Sequence, residues 1–359
     1  MKSAILFLTL LGFASQSFAQ EDSVKAVVNV SGFVDIFYSY DFNEPSGTYR
    51  QPFLHNHNRH NEINLNLGFI KVAVEHPKYR ANIALQAGTY PRDNYAHEPE
   101  EYRNIFQANA GVALNLRSTT WLDAGIFTSH IGFESAVSSE NWTLTRSLVA
   151  ENSPYYLTGI RLTHSPTEFL SLSFLVCNGW QRIQRVPGNS LPGFGTQVYF
   201  EKEDIAINWN TFFGSDDPDS TRRLRFFNNL YGHWNLTGKA GLTLGFDIGI
   251  QQESKGSSTY DLWYSPVAIF RHVLTHNWSY AVRGEYYADP SLVIVSTNSA
   301  VNNFKVLGVS LNLDYKPLQQ VLCRIEGRWL RSKDRVLSYG SSLSSSDFFI
   351  TSSFAIVIE

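Results

Sequence analysis

The sequence predicts an all-β protein that crosses a membrane as a closed, antiparallel, up-and-down β-barrel of about sixteen strands. Three observations predict this fold. Apolar and polar residues alternate over segments much longer than the average soluble strand of about five or six residues. Short and long connections between these segments alternate along the chain. Beyond the N-terminal segment the chain has no apolar run of about 18 residues, which excludes membrane-spanning helices but not spanning strands.

The composition is that of an exported, aromatic-rich chain. The protein has 359 residues, of which 14% are aromatic and only 17% are charged, against about 25% charged residues in typical soluble domains. A net charge of −3 does not favour nucleic acid as a partner. Cys177 and Cys323 lie far apart in the sequence and do not form a disulfide framework.

The N-terminus, MKSAILFLTLLGFASQSFAQ, has the three parts of a secretory signal peptide. Lys2 supplies the positive charge, residues 4–14 form the apolar stretch, and Ser17-Phe18-Ala19 is a cleavage site of small residues. We expect residues 1–19 to be removed and residues 20–359 to form a single barrel domain. The alternative, an uncleaved membrane anchor, is disfavoured because the apolar stretch is shorter than the about 20 residues that a spanning helix needs.

The first strand shows the pattern most clearly. In residues 27–42, VVNVSGFVDIFYSYDF, the even positions are apolar from Val28 to Phe42, whereas the odd positions include Asn29, Ser31 and Asp35. Because side chains alternate across a strand, one face is apolar and the other is mostly polar. The length of this segment favours a membrane-spanning strand over a half-buried soluble one.

The same alternation recurs in fifteen further segments. In the second, Ile63, Leu65 and Leu67 are expected to face lipid; the apolar parity then changes to Ile70 and Val72, which predicts a β-bulge. The segment 260–273 follows the pattern poorly because Pro266 interrupts it. The further segments are residues 62–74, 80–87, 106–116, 121–127, 160–163, 170–176, 197–201, 205–210, 224–233, 242–251, 260–273, 280–286, 307–314, 321–329 and 348–358.

Seven short turns and eight longer loops alternate between these segments. This is typical of outer-membrane barrels, which have short periplasmic turns and long outer loops. We expect both termini on the short-turn side. Tyr38 and Tyr40 at the outer end of the first strand, Tyr155 and Tyr156 at a loop end, and Trp278 at a short turn are interpreted as interfacial girdle residues, although aromatic residues also favour strands in general.

Three segments together resemble a known family. They are RHNEINLNL at 59–67, NGWQR at 178–182 and HIGFESAVSSENWTLTRSLVAENSPYYLTG at 130–159. With them the chain resembles, over nearly its whole mature length, the OmpL-like family of outer-membrane β-barrel porins of the Bacteroidetes type. The resemblance implies a barrel in the Gram-negative outer membrane, pore activity and insertion by the barrel-assembly machinery, but no established site residues. The chain ends in Ile358-Glu359, without the terminal Phe of many such barrels.

A sixteen-strand barrel leaves a water-filled lumen, so the inward-facing charged residues are the candidates for lining the pore. The two signs nearly balance, which predicts a wall of mixed charge rather than the basic ladder of an anion pore. Such a wall either orients polar solutes in a transverse field or consists only of structural salt bridges. The candidates are Lys71, Arg80, Arg161, Arg225, Arg283, Arg324 and Arg328, with Asp35, Glu62, Asp123, Asp247, Glu285, Asp314 and Glu326.

The longest loop, residues 133–155, is the candidate for a constriction folded into the lumen, because loops longer than about 12–15 residues usually have a function. The alternative is an external loop packed over the rim. The candidate residues of this constriction loop are Glu134, Glu140, Trp142, Arg146, Glu151 and Tyr155.

No catalytic or metal site is predicted. Ser129 and His130 are adjacent in an extended segment and point to opposite faces. His55 and His57 could share a face, but the further ligands that a structural zinc site needs are missing. We expect these histidines to lie over the rim of the barrel, with only His60 sharing the inward parity.

The sequence therefore predicts an outer-membrane porin for small hydrophilic solutes, without a cofactor, surrounded by lipid and able to form a homo-oligomer. Two alternatives remain open: a barrel that acts through its surface loops, as an adhesin or an enzyme, and a soluble secreted β-protein.

Overall fold

The computed structural model of the protein describes residues 24–300 and 303–359. These residues form a closed barrel of sixteen strands in which each strand pairs antiparallel with its neighbours along the chain, and the first strand pairs with the last to close the cylinder. The predicted fold class is thereby confirmed. The predicted signal peptide lies outside the described residues. None of the described helices is long and apolar enough to span a membrane.

Sixteen strands build the barrel, and a small hairpin and three short helices lie in the connections. The strands β1 to β18, with the hairpin β16–β17, are Val27–Asp41, Ile63–Glu75, Tyr79–Ala87, Ile105–Ala113, Thr120–Thr128, Tyr156–Thr167, Leu170–Cys177, Gly193–Lys202, Ile205–Gly214, Arg225–Thr237, Ala240–Gln252, Tyr260–Val273, Trp278–Asp289, Phe304–Leu318, Val321–Ser332, Leu337–Tyr339, Ser342–Ser344 and Ser346–Ile358. The helices α1 to α3 are Thr89–Asn94, Glu100–Arg103 and Leu148–Glu151, and a 3-10 turn spans Ser138–Glu140.

The alternation of side chains determines which face of each strand meets lipid. In β14, Leu307, Val309 and Leu311 are exposed. The residues that alternate with them, including Ser310 and Asn312, are buried inside the barrel. A bilayer offers no hydrogen bonds to an unpaired backbone, so closing the sheet satisfies every strand edge. The outer face is apolar because it meets lipid, and the inner face is polar because it meets the lumen.

The predicted bulge lies where β1 meets β2. The register shifts between Asp35 and Ile36, which pair with Leu67 and Leu65, and Asn66 is the extra residue. Both Asn66 and Leu67 are therefore buried inside. The expectation that Leu67 faces lipid is wrong, because the bulge turns its side chain inward.

The strand around Pro266 is complete, from Tyr260 to Val273. Pro266 pairs with Phe246 of β11, but on the β13 side the register has no partners between Tyr264 and Val267. The hydroxyl of Ser265 donates there to the carbonyl of Tyr286 at 2.8 Å. The proline is tolerated because its missing N–H falls in this break of the ladder.

The interior contains a hydrophobic cluster built by the outer loops and the upper wall. Phe53 and Leu54 of the first loop, Leu148 of α3 and Val336 near the hairpin belong to it. Tyr155 and Tyr156 are also buried inside. The girdle interpretation is wrong for these two tyrosines, because the loop that carries them enters the barrel.

Candidate functional site: the loop inside the barrel

The segment Ser129–Tyr155 between β5 and β6, hereafter the inner loop, folds into the lumen. Its ends meet where the backbone N–H of Ser129 donates to the carbonyl of Tyr155 at 2.9 Å. Gly132 has a positive φ of 86°, which favours glycine, and its N–H donates to Asn229 of β10 at 3.2 Å. The loop therefore turns inward directly after β5 and reaches the far wall.

Arg146 holds the inner loop in shape. Its guanidinium donates to the carbonyl oxygens of Ser135, Leu144 and Ala136 at 2.6, 2.7 and 2.8 Å. The side chain is completely buried. Only Leu148–Glu151 of the loop is α-helical, so most of its carbonyl oxygens have no partner in a helix or a strand. Arg146 supplies hydrogen bonds to three of them.

The wall formed by β13, β14 and β15 accepts hydrogen bonds from the backbone of the loop. Glu326 accepts from the N–H of Thr145 and Glu285 accepts from the N–H of Leu148, each at 2.6 Å. The side-chain oxygen of Asn312 accepts from the N–H of Leu144 at 3.1 Å. Bonds from amides to carboxylates are among the stronger hydrogen bonds in proteins. Glu285 and Glu326 therefore attach the loop to β13 and β15, and Asn312 attaches it to β14.

Three arginines of the same wall bind carbonyl oxygens of the loop. Arg283 donates to Thr145 at 2.6 Å, Arg328 to Arg146 at 2.8 Å and Arg324 to Ser138 at 2.7 Å. The donors and acceptors of the wall thus complement those of the loop along its length.

The wall charges also pair with one another across the strands. Arg283 lies 2.8 Å from Glu326 and 3.3 Å from Glu285, Arg328 lies 2.6 Å from Glu285, and Arg324 lies 2.7 Å from Asp314. The side chains of Arg283, Glu285, Glu326 and Arg328 have no exposed surface. These predicted pore-lining residues face inward, but the inner loop covers them.

Glycines of β11 make room for aromatic side chains of the loop. A Cβ atom at Gly241 would lie 2.4 Å from the ring of Trp142, and one at Gly245 would lie 2.7 Å from the ring of Phe133. Both rings therefore rest directly on the backbone of the wall. We call these two positions the glycine notches.

Glu134 and Glu151 stabilise the two ends of the loop. Glu134 accepts from the N–H and the hydroxyl of Ser147, and Glu151 accepts from the N–H groups of His55 and Asn56 at 2.7 and 3.1 Å. Burial raises the pKa of both carboxyls above its usual value, although Arg283 lowers that of Glu134 and the His55 N–H lowers that of Glu151.

The first outer loop also enters the barrel. The ring Nε2 of His57 lies 2.9 Å from the carboxylate of Asp35, and both side chains are fully buried. The expectation that only His60 has the inward parity is wrong, because the loop is not extended: His57 has a positive φ of 51°. His60 instead accepts a bond from the N–H of Asp41 at the rim. No cluster of three potential metal ligands occurs among the described residues.

A second cluster of charged side chains lies on β3, β5 and β6, across the lumen from β13, β14 and β15. The carboxylate of Asp123 accepts two hydrogen bonds from Arg80, at 2.7 and 2.6 Å, and lies 3.8 Å from Arg161. The side chains of Arg80 and Arg161 remain 35% and 24% exposed. These two arginines are thus accessible from the lumen, unlike the arginines under the inner loop.

The remaining predicted residues lie in different places. Glu62 precedes the first residue of β2 and lies at the outer rim rather than in the wall. Arg225 lies 3.4 Å from Asp216 near the outer mouth, and Asp247 is buried and accepts a bond from Asn229. Of the loop candidates, Glu140 is exposed and Tyr155 is buried.

Cavities lie on both sides of the inner loop. Two outer cavities, of about 1060 and 410 Å³, share His55 and Asp93 in their walls. A third, of about 240 Å³, lies on the short-turn side and has no lining residue in common with the outer two. Among the described residues, the inner loop thus separates the outer cavities from the inner one.

Sequence reasoning missed Asn312, Thr145, His57 and the glycine notches. The first two carry no charge, and polar residues on an inward parity are common to all the strands. The glycines of AGLTLGFDIGIQ do carry a signal, since they recur at every fourth position of a long strand. That spacing places Gly241 and Gly245 on the inward face.

The comparisons with known proteins identify the family. Residues 27–358 match the family model described as "Putative beta-barrel porin-2, OmpL-like". The chain belongs to this family. Family membership and the closed sixteen-strand barrel identify an outer-membrane porin, and they point to a channel rather than an enzyme. No curated protein matches the chain.

Solved structures of a porin and of other outer-membrane proteins share the fold at low sequence identity. The anion-selective porin from Comamonas acidovorans matches with a TM-score of 0.60 and 9% identity over 93% of this chain and 100% of that chain. The outer membrane channel DcaP of Acinetobacter baumannii matches with a TM-score of 0.59 and 11% identity over 94% and 99%. The trimer form of OmpT of Vibrio cholerae matches with a TM-score of 0.59 and 8% identity over 93% and 100%.

Proposed function

We propose that the inner loop is the constriction of this porin and that small hydrophilic solutes pass between the loop and the barrel wall. The supporting observation is the position of Ser129–Tyr155 between the outer and inner cavities, with its backbone hydrogen-bonded to Glu285 and Glu326 of the wall. Arg80 and Arg161 remain partly exposed on the opposite wall. The passage therefore lies on the side of Arg80, Asp123 and Arg161, away from the attached face.

The test is single-channel recording in planar bilayers. In the variant to be compared with the wild type, a Gly-Ser linker replaces residues 136–147. We expect the wild type to conduct ions. The variant should have a conductance several-fold higher, because the part of the inner loop that narrows the lumen has been removed. The matched control shortens the outer loop 253–259, most of which is exposed, and should leave the conductance unchanged. Absence of ion current in every form would reject the porin function of the isolated chain.

A second hypothesis, catalysis by the barrel, has one observation to test. Asp35 and His57 form a buried pair, and the side chain of Ser138 lies beside the carboxylate of Asp35. A hydrolytic triad needs the histidine between the nucleophile and the acid. Here the Nδ1 atom of His57 has no hydrogen-bond partner among the described residues. We therefore infer that the pair anchors the first loop and that the chain is not an enzyme.

Export and assembly complete the proposal. We infer cleavage after Ala19, insertion by the barrel-assembly machinery and a homo-oligomer in the membrane. The structure of OmpT in a trimer form supports the oligomer only by analogy of fold. N-terminal sequencing of the purified protein should begin at residue 20, and cross-linking in native membranes should give a band at a multiple of the monomer mass. A monomer band alone would reject the oligomer.

A further inference from the structure

The cavity on the short-turn side of the inner loop is lined by aromatic rings from two sides. Phe133 and Trp142 come from the inner loop, and Tyr199 and Tyr231 come from β8 and β10. The ring centroids of Phe133 and Tyr231 are 5.6 Å apart, with the rings inclined at 59°. Rings inclined in this way form the sides of a small cup rather than a packed stack.

Carboxylates predominate among the titratable groups around this cup, and they are accompanied by one histidine, His233, whose ring centroid lies 4.5 Å from that of Trp142. The carboxylates of Glu140 and Glu201 line the cavity and are exposed. Glu134 also lines it, but its carboxylate is buried and bonded to Ser147. Among the described residues, no lysine or arginine lines this cavity. In that respect it differs from the outer cavities, where arginines accompany the acids.

The rings are held in place without a ligand. Trp142 and Phe133 rest in the glycine notches at Gly241 and Gly245. The hydroxyl of Tyr231 accepts a bond from Asn208 at 2.8 Å. A cavity whose walls are already fixed loses little conformational freedom when a ligand binds.

The combination points to one chemical class. The faces of aromatic rings attract cations, and aromatic cages recognise quaternary ammonium groups in this way. We propose that this cavity is a binding site for a small organic cation that carries a methylated ammonium group, such as choline. The ammonium lies among the rings of Phe133, Trp142 and Tyr231, and Glu201 supplies the negative charge. The inference rests on the porin function, since it names a solute class that the lumen would hold.

A sugar would be the main competitor for such a cavity, because sugars also stack on aromatic rings. The lining favours the cation, since the carboxylates attract a positive charge by Coulombic forces that a neutral sugar lacks. Glu201 also accepts a hydrogen bond from the hydroxyl of Tyr199 already, which leaves it less capacity to bind sugar hydroxyl groups. The volume of about 240 Å³ is also small for a ligand pocket, which typically measures about 300–1,000 Å³. A compact ligand with a single charged head group therefore fits best.

The test uses the full chain in detergent and titrates it with choline, following Trp fluorescence and heat. The matched ligand is 3,3-dimethylbutan-1-ol, which has the shape of choline without its charge, and glucose is the third probe. We expect saturable choline binding that is about tenfold tighter than that of the neutral alcohol, as the charge term of a cation–π site suggests. Equal affinity for the two, or binding of glucose but not of choline, would overturn the proposal.

Variants locate the site. Glu201→Gln and Tyr231→Leu should each weaken choline binding by about fivefold or more, whereas Tyr231→Phe, which keeps the ring, should bind within about twofold of the wild type. Glu203→Gln, in the adjacent turn, should bind as the wild type does. Unchanged binding in both of the first two variants would place choline elsewhere.

Conductance in KCl, measured on the same preparations, separates this inference from the proposed function. A conducting channel that does not bind choline contradicts only the cation site. Choline binding without any current contradicts the porin function and leaves the site standing.

Discussion

At the scale of single residues, the interior depends on charges that are buried but paired. Arg283 contacts Glu285, Glu326 and the carbonyl of Thr145, and none of these side chains reaches solvent. A buried ion pair adds little net stability, but removing one partner leaves a desolvated charge without compensation. The loss of stability caused by a substitution therefore depends on whether the remaining charge still has a partner.

Replacing Arg283 tests this directly. Arg283→Met should lower the free energy of unfolding by about 3–5 kcal/mol, because Glu326 and Glu285 lose their shared cation. Urea-induced unfolding of the refolded barrel in detergent measures the change. Arg331→Met, at an exposed position near the end of β15, is the matched control and should be nearly neutral. Equal midpoints for the two variants would contradict the role assigned to Arg283.

The pH dependence of Glu151 has a definite sign. Burial raises its pKa in the folded protein, so the folded state holds a proton that the unfolded chain has already lost. The contribution of Glu151 to stability is thus fully present below its unfolded pKa and is lost as the pH rises through the folded pKa. Its Oε1 atom, which has no partner among the described residues, is free to carry the proton.

Thermal unfolding of the wild type and of Glu151→Gln between pH 4 and 8 checks this sign. The midpoint of the wild type relative to the variant should fall as the pH rises. Glu101→Gln, an exposed acid, serves as the control and should show no such trend. A relative midpoint that rises with pH would show that the folded pKa of Glu151 is lowered instead.

At the scale of elements, one strand and one loop fit each other. The glycines of β11 lie where Trp142 and Phe133 of the inner loop rest on the wall. Interiors are packed too closely for an added methyl group to be absorbed without movement. A small change in the strand should therefore displace the loop while the barrel stays intact.

Gly241→Ala is the corresponding variant. Its new Cβ atom would lie 2.4 Å from the ring of Trp142, so the ring and the loop must move. We expect an altered single-channel conductance and a shifted Trp emission, with normal barrel formation on gels. Gly284→Ala in β13, where an added Cβ meets nothing within 4 Å, should behave as the wild type. The same conductance in both variants would contradict the fit between strand and loop.

At the scale of the whole molecule, the outer surface is suited to lipid. Large apolar side chains such as Ile70, Leu311 and Ile325 are exposed all around the barrel, and soluble monomers rarely expose apolar patches beyond a few hundred Å². The closed hydrogen-bond ladder makes this surface stable only as a unit. We therefore expect the barrel to need lipid or detergent and to unfold as a single unit.

The expected outcome is a protein that requires detergent and migrates faster on gels when unheated. Boiling opens the barrel, exposes backbone to detergent and slows migration. Extraction of membranes, followed by gels of heated and unheated samples, measures both properties. A chain that stays in solution without detergent would support the soluble secreted alternative.

The sequence by itself determined the barrel: about sixteen strands, the alternation of turns and loops, the inward and outward faces of most strands and the presence of a bulge in β2. Side chains alternate between the two faces of a strand, so a repeat of two residues in the sequence shows which face each side chain occupies. The assignment is clear because one face meets lipid and the other meets the polar lumen. It also named Arg146, Glu151 and Arg283 as inward or loop residues. These are properties of single strands and single loops.

Only the tertiary structure decided what lies inside. The attachment of Thr145 to Glu326, the approach of His57 to Asp35 and the seating of Trp142 on Gly241 join residues far apart in the chain. Irregular loops have no periodicity, so the sequence does not report the direction in which they fold. That direction follows from the complementary donors and acceptors of the loop and the wall, which meet only once the barrel has closed.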